Sequence, residues 1–432
     1  MDSLANHGCL IVDLTDGDAH TDDACTMSEM WKTTSDFFDR IVDSDGDGSS
    51  SSAAENGLPT MRRAEGVGST NAMVGYASFK DGDNQFLETR LRRVDGALLP
   101  AEASSAIGEN GTRSLVDAFR IMSDVGRDIV RIATAASSVD ADAFLTTTEA
   151  GRSSSAWMAE SSSSSGGGGG GGGSPSIAGL SFEEAVLSGI VEDGGRDDGG
   201  GEGLSDEDAR RRAGILASDA AMLLTEEIMD DGRPLSAGVD IEHDEGPVSM
   251  SPHRICRYSN KNNGVDKFSR RKKVASEIFG AHTDTSFVTI VPAARVSGLE
   301  VFDEDSLRWY RPELNALGHA KKLEAGAAAG GDDGDIAEDG RYPWHCRYLV
   351  VMPGELLQLT SRNNIPAAVH RVVATTGAPR LSAPVLLRAR PGTRMDVERY
   401  MGSKDRAGSL LLDSDGLRME EIHDALQSSP KA

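Results

Sequence analysis

The feature that most constrains the fold is a series of short apolar segments in the C-terminal half, separated by turn residues. From residue 254 onward, stretches rich in Val, Ile, Leu and Thr alternate with pairs such as Pro353-Gly354 and Asn363-Asn364. Several short strands with frequent turns predict a β-sandwich or barrel. The predicted strands are Ile255 to Tyr258, Ser286 to Pro292, Gly298 to Phe302, Tyr348 to Met352, Leu356 to Thr360, Ala368 to Ala374 and Leu381 to Arg388.

Helices are expected mainly outside this series of strands. Apolar residues recur every three or four positions between Thr112 and Ala136, which is typical of an amphipathic helix. The Ala/Gly/Asp-rich insertion 315–341 interrupts the strands, and we expect a surface loop there. The remaining predictions are a buried strand at 9–12, helices at Met27 to Ile41 and Ser205 to Met229, and a helical segment from Met395 to Gln427.

Composition divides the chain into ordered and low-complexity parts. The 432 residues include 49 glycines, and residues 151–180 contain five consecutive serines and eight consecutive glycines. Such a segment cannot bury enough apolar surface to fold, so we predict disordered insertions. The predicted regions are an N-terminal helical and strand region at 1–150, a linker at 151–204, a helix and loop at 205–250, a core at 251–395 and a helical tail at 396–432.

Charge and cysteine content limit the partners and the compartment. The formal net charge is −25, which disfavours binding to nucleic acid and to anionic membranes. Four separated cysteines without a CxxC pair predict no disulfide framework. The N-terminus lacks a basic segment followed by an apolar run, so a cytoplasmic location is expected.

The residues that carry chemistry are His282-Thr283-Asp284 and, much later, His370. Residues i and i+2 of an extended strand point the same way, so His282 and Asp284 can converge on one ion. His370 lies in a different apolar strand and can complete the set. Two imidazoles and one carboxylate leave coordination positions open for oxygen and a co-substrate, as in non-haem Fe(II) oxygenases.

The same tripeptide occurs a second time, and its context differs. His20-Thr21-Asp22 lies in an acidic turn with no strand after it. Thr and Asp are favoured at loops and helix caps, so we interpret this copy as structural. By contrast, Arg380-Leu381-Ser382 follows His370 within ten residues. A guanidinium fork and a hydroxyl on one strand face can hold a carboxylate; the alternative is a surface arginine.

Two other motifs have simpler explanations. Asp43 to Gly48 imitates the start of an EF-hand loop, but Ala54 stands where calcium needs a bidentate glutamate. We therefore interpret it as acidic linker. The basic run Arg270-Arg271-Lys272-Lys273 could be a nuclear signal or an anion patch, although a solvated loop before His282 is the favoured interpretation.

Together these motifs resemble the 2-oxoglutarate/Fe(II) dioxygenases of the plant-type, isopenicillin-N-synthase-like superfamily, over about residues 250–392. The resemblance implies a mainly β protein, a double-stranded β-helix (jelly roll) with flanking α-helices. A weaker match at Asn6-His7-Gly8 implies that the family's first strand would precede residue 1. The matching segments are Arg254 to Tyr258, His282 to Asp284, Val296 to Val301, Leu349 to Gln358, Val369 to Val372 and Arg380 to Ser382.

The resemblance also implies the site residues and the reaction. The metal ligands for Fe(II) would be His282, Asp284 and His370, and the contacts for the co-substrate 2-oxoglutarate would be Arg380, Ser382 and Tyr258. No catalytic residue is expected beyond the metal centre. Tyr258 is followed by Ser259 and preceded by Cys256, where the family usually has proline and asparagine, which weakens the assignment of that tyrosine.

The implied function is an oxidoreductase that uses O2 and 2-oxoglutarate to oxidise a small molecule by hydroxylation, desaturation or demethylation. An Asp at position 284 argues against halogenation, which would need that ligand position empty. Two alternatives stay open. One is an Fe(II) oxidase of the same fold that uses Arg380 and Ser382 on the substrate's own carboxylate. The other is a non-catalytic binding protein derived from the fold.

Overall fold

The structure, a computed structural model, describes only part of the chain. Several of the predictions above lie outside the described residues: the EF-hand-like loop, the low-complexity linker, the basic run at 270–273, Ser259 and His20. The described residues are 4, 7–15, 21–44, 60–64, 72–79, 84–138, 218–235, 246–258, 277–329, 342–373, 378–402 and 409–428.

The described residues contain 15 strands, which pair in antiparallel fashion and form two sheets. The strands are β1 (Leu10–Asp13), β2 (Arg62–Arg63), β3 (Met73–Phe79), β4 (Asn84–Leu91), β5 (Leu98–Leu99), β6 (Met229–Asp230), β7 (His253–Tyr258), β8 (Glu277–His282), β9 (Val288–Pro292), β10 (Leu299–Asp303), β11 (Arg308–Tyr310), β12 (Tyr348–Pro353), β13 (His370–Val373), β14 (Arg380–Ser382) and β15 (Val385–Ala389).

The order of these strands is that of a jelly roll. The larger sheet runs β1-β12-β9-β15-β7-β4-β3-β2, and the smaller sheet runs β11-β10-β13-β8. Along the chain, β7, β9, β12 and β15 lie in the larger sheet, while β8, β10 and β13 lie in the smaller one. From β7 to β15 the chain therefore crosses between the sheets at most connections, and the predicted jelly-roll fold is confirmed. The strands β1, β3 and β4 from the first 150 residues extend the same large sheet.

Helices pack around the sheets. The longest, α3, lies against the outer face of the larger sheet, where Gly126 allows close approach: a Cβ there would lie 2.4 Å from Cδ1 of Leu387. The helices are α1 (Thr21–Ser44), α2 (Ala101–Ile107), α3 (Glu109–Ser138), α4 (Pro312–Ala329), α5 (Glu355–Thr360), α6 (Val397–Met401), α7 (Ser409–Asp413) and α8 (Met419–Ser428), with a π-helical turn at Leu224–Ile228 and a 3-10 turn at Trp344–Cys346.

The structure corrects two of the sequence predictions. The predicted strand Leu356 to Thr360 is the helix α5. Strand β12 ends at Pro353, and the amide of Leu356 bonds back to Ser286, so the leucines pack as one buried helix face. The predicted loop 315–341 is helical as far as Ala329, because buried Ala316 and Ala320 give α4 an apolar side.

Other predictions are confirmed with changed bounds. The helices expected at Met27 to Ile41 and Thr112 to Ala136 lie within α1 and α3. The helical tail is divided into α6, α7 and α8, and Gly402 ends α6 in a left-handed conformation at φ 74°. Strand β8 ends at His282, in agreement with the extended backbone expected at that residue. Among the residues that the structure describes, no helix combines the length and apolarity that a membrane crossing requires.

Candidate metal centre

The smaller sheet brings the two histidines of the predicted site face to face. His282 ends β8 and His370 begins β13, and the antiparallel register places them directly opposite each other. Residues in such a pair share a face of the sheet, and the two imidazole centroids lie 4.3 Å apart. Two histidines that are 88 residues apart in the sequence thus have adjacent rings.

Asp284 lies between these rings, just beyond the end of β8. Its Oδ1 is 3.6 Å from Nε2 of His282, and its Oδ2 is 3.5 Å from Nε2 of His370. One ligand atom from each of the three residues lies within 4.8 Å of the others. Within the described part of the chain, this is the one group of His, Cys, Asp or Glu side chains that could share a metal ion.

Both imidazoles are oriented by backbone carbonyls. Nδ1 of His282 lies 2.8 Å from the carbonyl oxygen of Gly280, and Nδ1 of His370 lies 3.1 Å from that of Ala368. A carbonyl oxygen only accepts, so each Nδ1 carries a hydrogen, and in the neutral ring the lone pair lies on Nε2. This tautomer is the one that coordinates a metal through Nε2.

The carboxylate of Asp284 is held by a hydroxyl from the neighbouring strand. Thr289, on β9, donates a 2.6 Å hydrogen bond to Oδ2 of Asp284. Burial acts to raise the pKa of Asp284, but His370, His282 and this hydroxyl outweigh it and lower the pKa below its ordinary value. The carboxylate is therefore ionised, as a metal ligand must be.

A second carboxylate fixes the loop that carries Asp284. Glu355, at the start of α5, accepts hydrogen bonds from the hydroxyls of Thr283 (2.6 Å) and Thr285 (2.7 Å). Its amide also donates to the carbonyl of Asp284. The preceding Gly354 packs so tightly that a Cβ would lie 2.2 Å from the carbonyl oxygen of Ser286, so this approach requires glycine.

Arg380, the predicted carboxylate-binding residue, is buried on β14. Its Nη2 donates to Oε1 of Glu313 at 2.7 Å. Burial acts to lower the pKa of Arg380, but the charge of Glu313 and its neighbours raises it above the ordinary value. Its Nε and Nη1 are also buried, and neither has a hydrogen-bond partner among the described residues. Two donors thus stay available to a ligand.

Glu313 was not identified from the sequence. It begins α4, is fully buried, and accepts hydrogen bonds from the backbone amides of Ala294, Gly298 and Leu299. A carboxylate with this many fixed donors is a rigid anchor for one edge of the Arg380 guanidinium. A surface loop was expected from residue 315 onward, so the sequence did not indicate a buried carboxylate at position 313.

Tyr258 and Ser382 lie beside Arg380. Strand β14 pairs with β7, so Arg380 faces Tyr258 and Ser382 faces Cys256. The guanidinium carbon is 5.7 Å from the centroid of the Tyr258 ring. Burial raises the pKa of the Tyr258 hydroxyl well above its ordinary value, so it stays protonated and able to donate. The structure therefore gathers the three predicted contacts on two adjacent strands.

Comparison with known proteins supplies distant structural similarities. No protein-family model matches the chain, and no curated protein matches it. The solved structure of Neurospora crassa T7H in complex with alpha-KG is 11% identical, covering 99% of this chain and 88% of that one, with a TM-score of 0.40. JOX2 in complex with 2OG, Fe and JA is 11% identical, covering 100% and 81%, with a TM-score of 0.40.

A rice dioxygenase for auxin oxidation is 17% identical, with a TM-score of 0.25; the match covers 52% of this chain and 58% of the rice protein. TM-scores this low carry little weight, so the class of the protein rests on its own geometry. The strand order and the His-Asp-His group define a jelly-roll protein with a site for one metal ion. Both features agree with the resemblance to 2-oxoglutarate/Fe(II) dioxygenases.

Proposed function

We propose that this protein is an Fe(II)- and 2-oxoglutarate-dependent dioxygenase that oxidises a small molecule. The observation that carries the proposal is the convergence of two Nε2 lone pairs and an ionised carboxylate within 4.8 Å. Two neutral imidazoles and one carboxylate suit a divalent iron and leave coordination positions for other ligands. Bound Fe(II) would supply the activation of O2 that the residues of the chain cannot provide.

The protein's own residues hold and orient the reacting groups. His282, Asp284 and His370 would bind the metal, and their directions are set by Gly280, Ala368 and Thr289. Such outer contacts keep ligands in the coordinating geometry before the ion arrives.

Arg380 would bind the far carboxylate of 2-oxoglutarate. Leaving buried donors without partners is costly, and Nε and Nη1 of Arg380 are two such donors. A carboxylate accepting from them, with Ser382 and Tyr258 nearby, removes that cost. Glu313 holds the remaining edge, so the guanidinium needs little rearrangement to bind.

The test is whether succinate forms in step with oxygen consumption. Purified protein is incubated with Fe(II), 2-oxoglutarate and a panel of small molecules, and both products and oxygen are measured. We expect succinate that depends on Fe(II) and is lost in His370→Ala and Arg380→Met. Substrate-dependent oxygen uptake without succinate would indicate an oxidase that does not use 2-oxoglutarate. Absence of Fe(II) binding would indicate a non-catalytic protein.

A further inference from the structure

The larger sheet presents a second arginine to the interior of the jelly roll. On β15, the side chain of Leu387 points outward and packs against α3. This is shown by Gly126 on that helix, where an added Cβ would lie 2.4 Å from Cδ1 of Leu387. Successive side chains of a strand alternate between faces, so Leu386 and Arg388 point inward. Leu386 pairs with Thr289, which donates to Asp284. Arg388 therefore shares the inner face on which the metal site lies.

The side chain of Arg388 lacks a bonding partner in the described part of the chain. Its Nε is buried without a hydrogen bond, and the rest of the side chain is half-buried. Burial lowers the pKa of Arg388. The positive charge of Arg254 also acts to lower this pKa, while the negative charges of Glu88 and Asp284 act to raise it. The guanidinium thus lies near the metal site with its donors unused.

Glu88, a carboxylate whose charge acts on Arg388, already accepts hydrogen bonds from other arginines. Glu88 lies opposite Arg254 across β4 and β7, and Arg254 donates to its Oε2 at 3.0 Å through Nε. Arg90 donates to its Oε1 at 2.8 Å. Three guanidinium groups therefore surround one carboxylate, and Arg388 is the one without a direct bond to it. Burying a charge without a partner is unfavourable, which indicates that a ligand supplies the missing anion.

We propose that Arg388 binds a carboxylate of the oxidised substrate, separate from the carboxylate of 2-oxoglutarate at Arg380. The inference rests on the proposed function and names the substrate class, a monocarboxylic acid. The planar fork of an arginine matches a carboxylate. Glu88 and Asp284 are also close and would repel a doubly charged phosphate more strongly than a single negative charge. Leu386, on the same inner face, favours an apolar body behind the carboxylate.

Equilibrium binding tests the substrate class without requiring turnover. Protein loaded with Mn(II) in place of Fe(II) is titrated with monocarboxylic acids of increasing apolar length, each beside its methyl ester and the matching alkyl phosphate. Excess 2-oxoglutarate is present throughout, so that Arg380 is occupied and the added acid is directed to a second site. The wild type should prefer acid over ester by about 10-fold to 100-fold, as expected for charge-assisted hydrogen bonds.

Three variants locate the preference. Arg388→Met should abolish it, and Arg388→Lys should retain part of it. Arg308→Met removes the same charge from an exposed strand position and should bind like the wild type. Because Arg388 has no structural partner, Arg388→Met should unfold at a temperature no lower than the wild type.

The inference is overturned if acids and esters bind alike, if alkyl phosphates bind better than acids, or if Arg388→Met keeps the preference. A large drop in the unfolding temperature of Arg388→Met would assign a structural role and would also overturn it. Failure of the proposed function has a different signature, namely no succinate from 2-oxoglutarate whatever acid is added.

Discussion

The chain contains the tripeptide His-Thr-Asp twice, and the two copies have different fates. Asp22, in the first copy, is exposed in the first turn of α1. There it meets the positive end of the helix and stays solvated, as acidic residues at helix starts commonly do. Asp284, in the second copy, lies between two imidazoles. The same Thr-Asp pair therefore lies in the first turn of a helix in one place and at a candidate metal site in the other.

The difference arises from residues outside the tripeptide. Asp284 has His370 on a paired strand, Thr289 on the next strand and Glu355 behind its loop. The hydroxyl near Asp22 is that of Thr26, which donates to the Asp22 carbonyl within the same helix and not to its carboxylate. A carboxylate becomes a ligand when the fold supplies further ligands and orients it, and the tripeptide supplies neither.

The largest effect is expected from removing the carboxylate of Asp284, with Asp22 in the other copy as the matched control. Asp284→Ala should weaken Fe(II) or Co(II) binding by more than about 100-fold, beyond the range for outer partners, since a direct ligand is lost. Asp22→Ala should bind the metal like the wild type. Anaerobic equilibrium dialysis measures both affinities, and equal losses in the two variants would break the comparison.

A third aspartate sharpens the comparison, because it is buried but paired with arginine. Asp230 accepts from both Nη1 and Nη2 of Arg93 and from the amide of Met250. Burial acts to raise its pKa, but these partners lower the pKa to about 2. Both oxygens of the Asp230 carboxylate already accept hydrogen bonds, so Asp230 stabilises the fold and is not available to a metal.

The pH dependence of unfolding checks this role. The folded pKa of Asp230 lies below its ordinary value, so its stabilisation is complete above about pH 4 and is lost as pH falls towards 2. The loss should be about 2 kcal/mol of the free energy of unfolding. Urea titrations at several pH values measure it, and Asp230→Asn should lose this part of the pH dependence. An identical pH profile in the variant would contradict the assignment.

An intermediate effect is expected from the hydroxyl that orients Asp284. Thr289→Val keeps the shape of the side chain but removes the hydrogen bond to Oδ2, so metal affinity should fall about 10-fold. Thr26→Val is the matched control near Asp22 and should leave metal affinity unchanged. Dialysis against Co(II) gives both values. Wild-type affinity in Thr289→Val would show that the hydroxyl does not orient the ligand.

The smallest effect is expected from the loop clamp. Glu355→Gln leaves one acceptor oxygen for the two hydroxyls of Thr283 and Thr285, and metal affinity should fall about threefold. Glu29→Gln removes the same charge from the exposed side of α1. Competition between Co(II) and a chromogenic chelator resolves a change of this size. A larger fall in metal affinity than in Thr289→Val would show that Glu355 contributes more to metal binding than the hydroxyl of Thr289, contrary to this prediction.

Local signals predicted a β-sandwich or barrel and the candidate site residues, and the family resemblance that they carry implied the jelly roll. Strand-length apolar segments, the H-x-D spacing and the Arg-x-Ser pair can each be recognised within a few residues. The leucines at 356–359 show the limit, since a short apolar run fits a strand or a buried helix equally. The contact of Glu313 with Arg380 and the pairing of Glu88 with Arg254 join elements that are distant in the sequence, which no local pattern encodes.

The central claim is that His282, Asp284 and His370 share one ion, and X-ray absorption at the iron edge tests it most directly. Protein loaded anaerobically with one Fe(II) per chain should show scattering from two imidazoles, falling to one in His370→Ala, as expected for a two-histidine, one-carboxylate site. Asp22→Ala should give the wild-type spectrum. An imidazole count that is the same in the wild type and in His370→Ala would contradict the account.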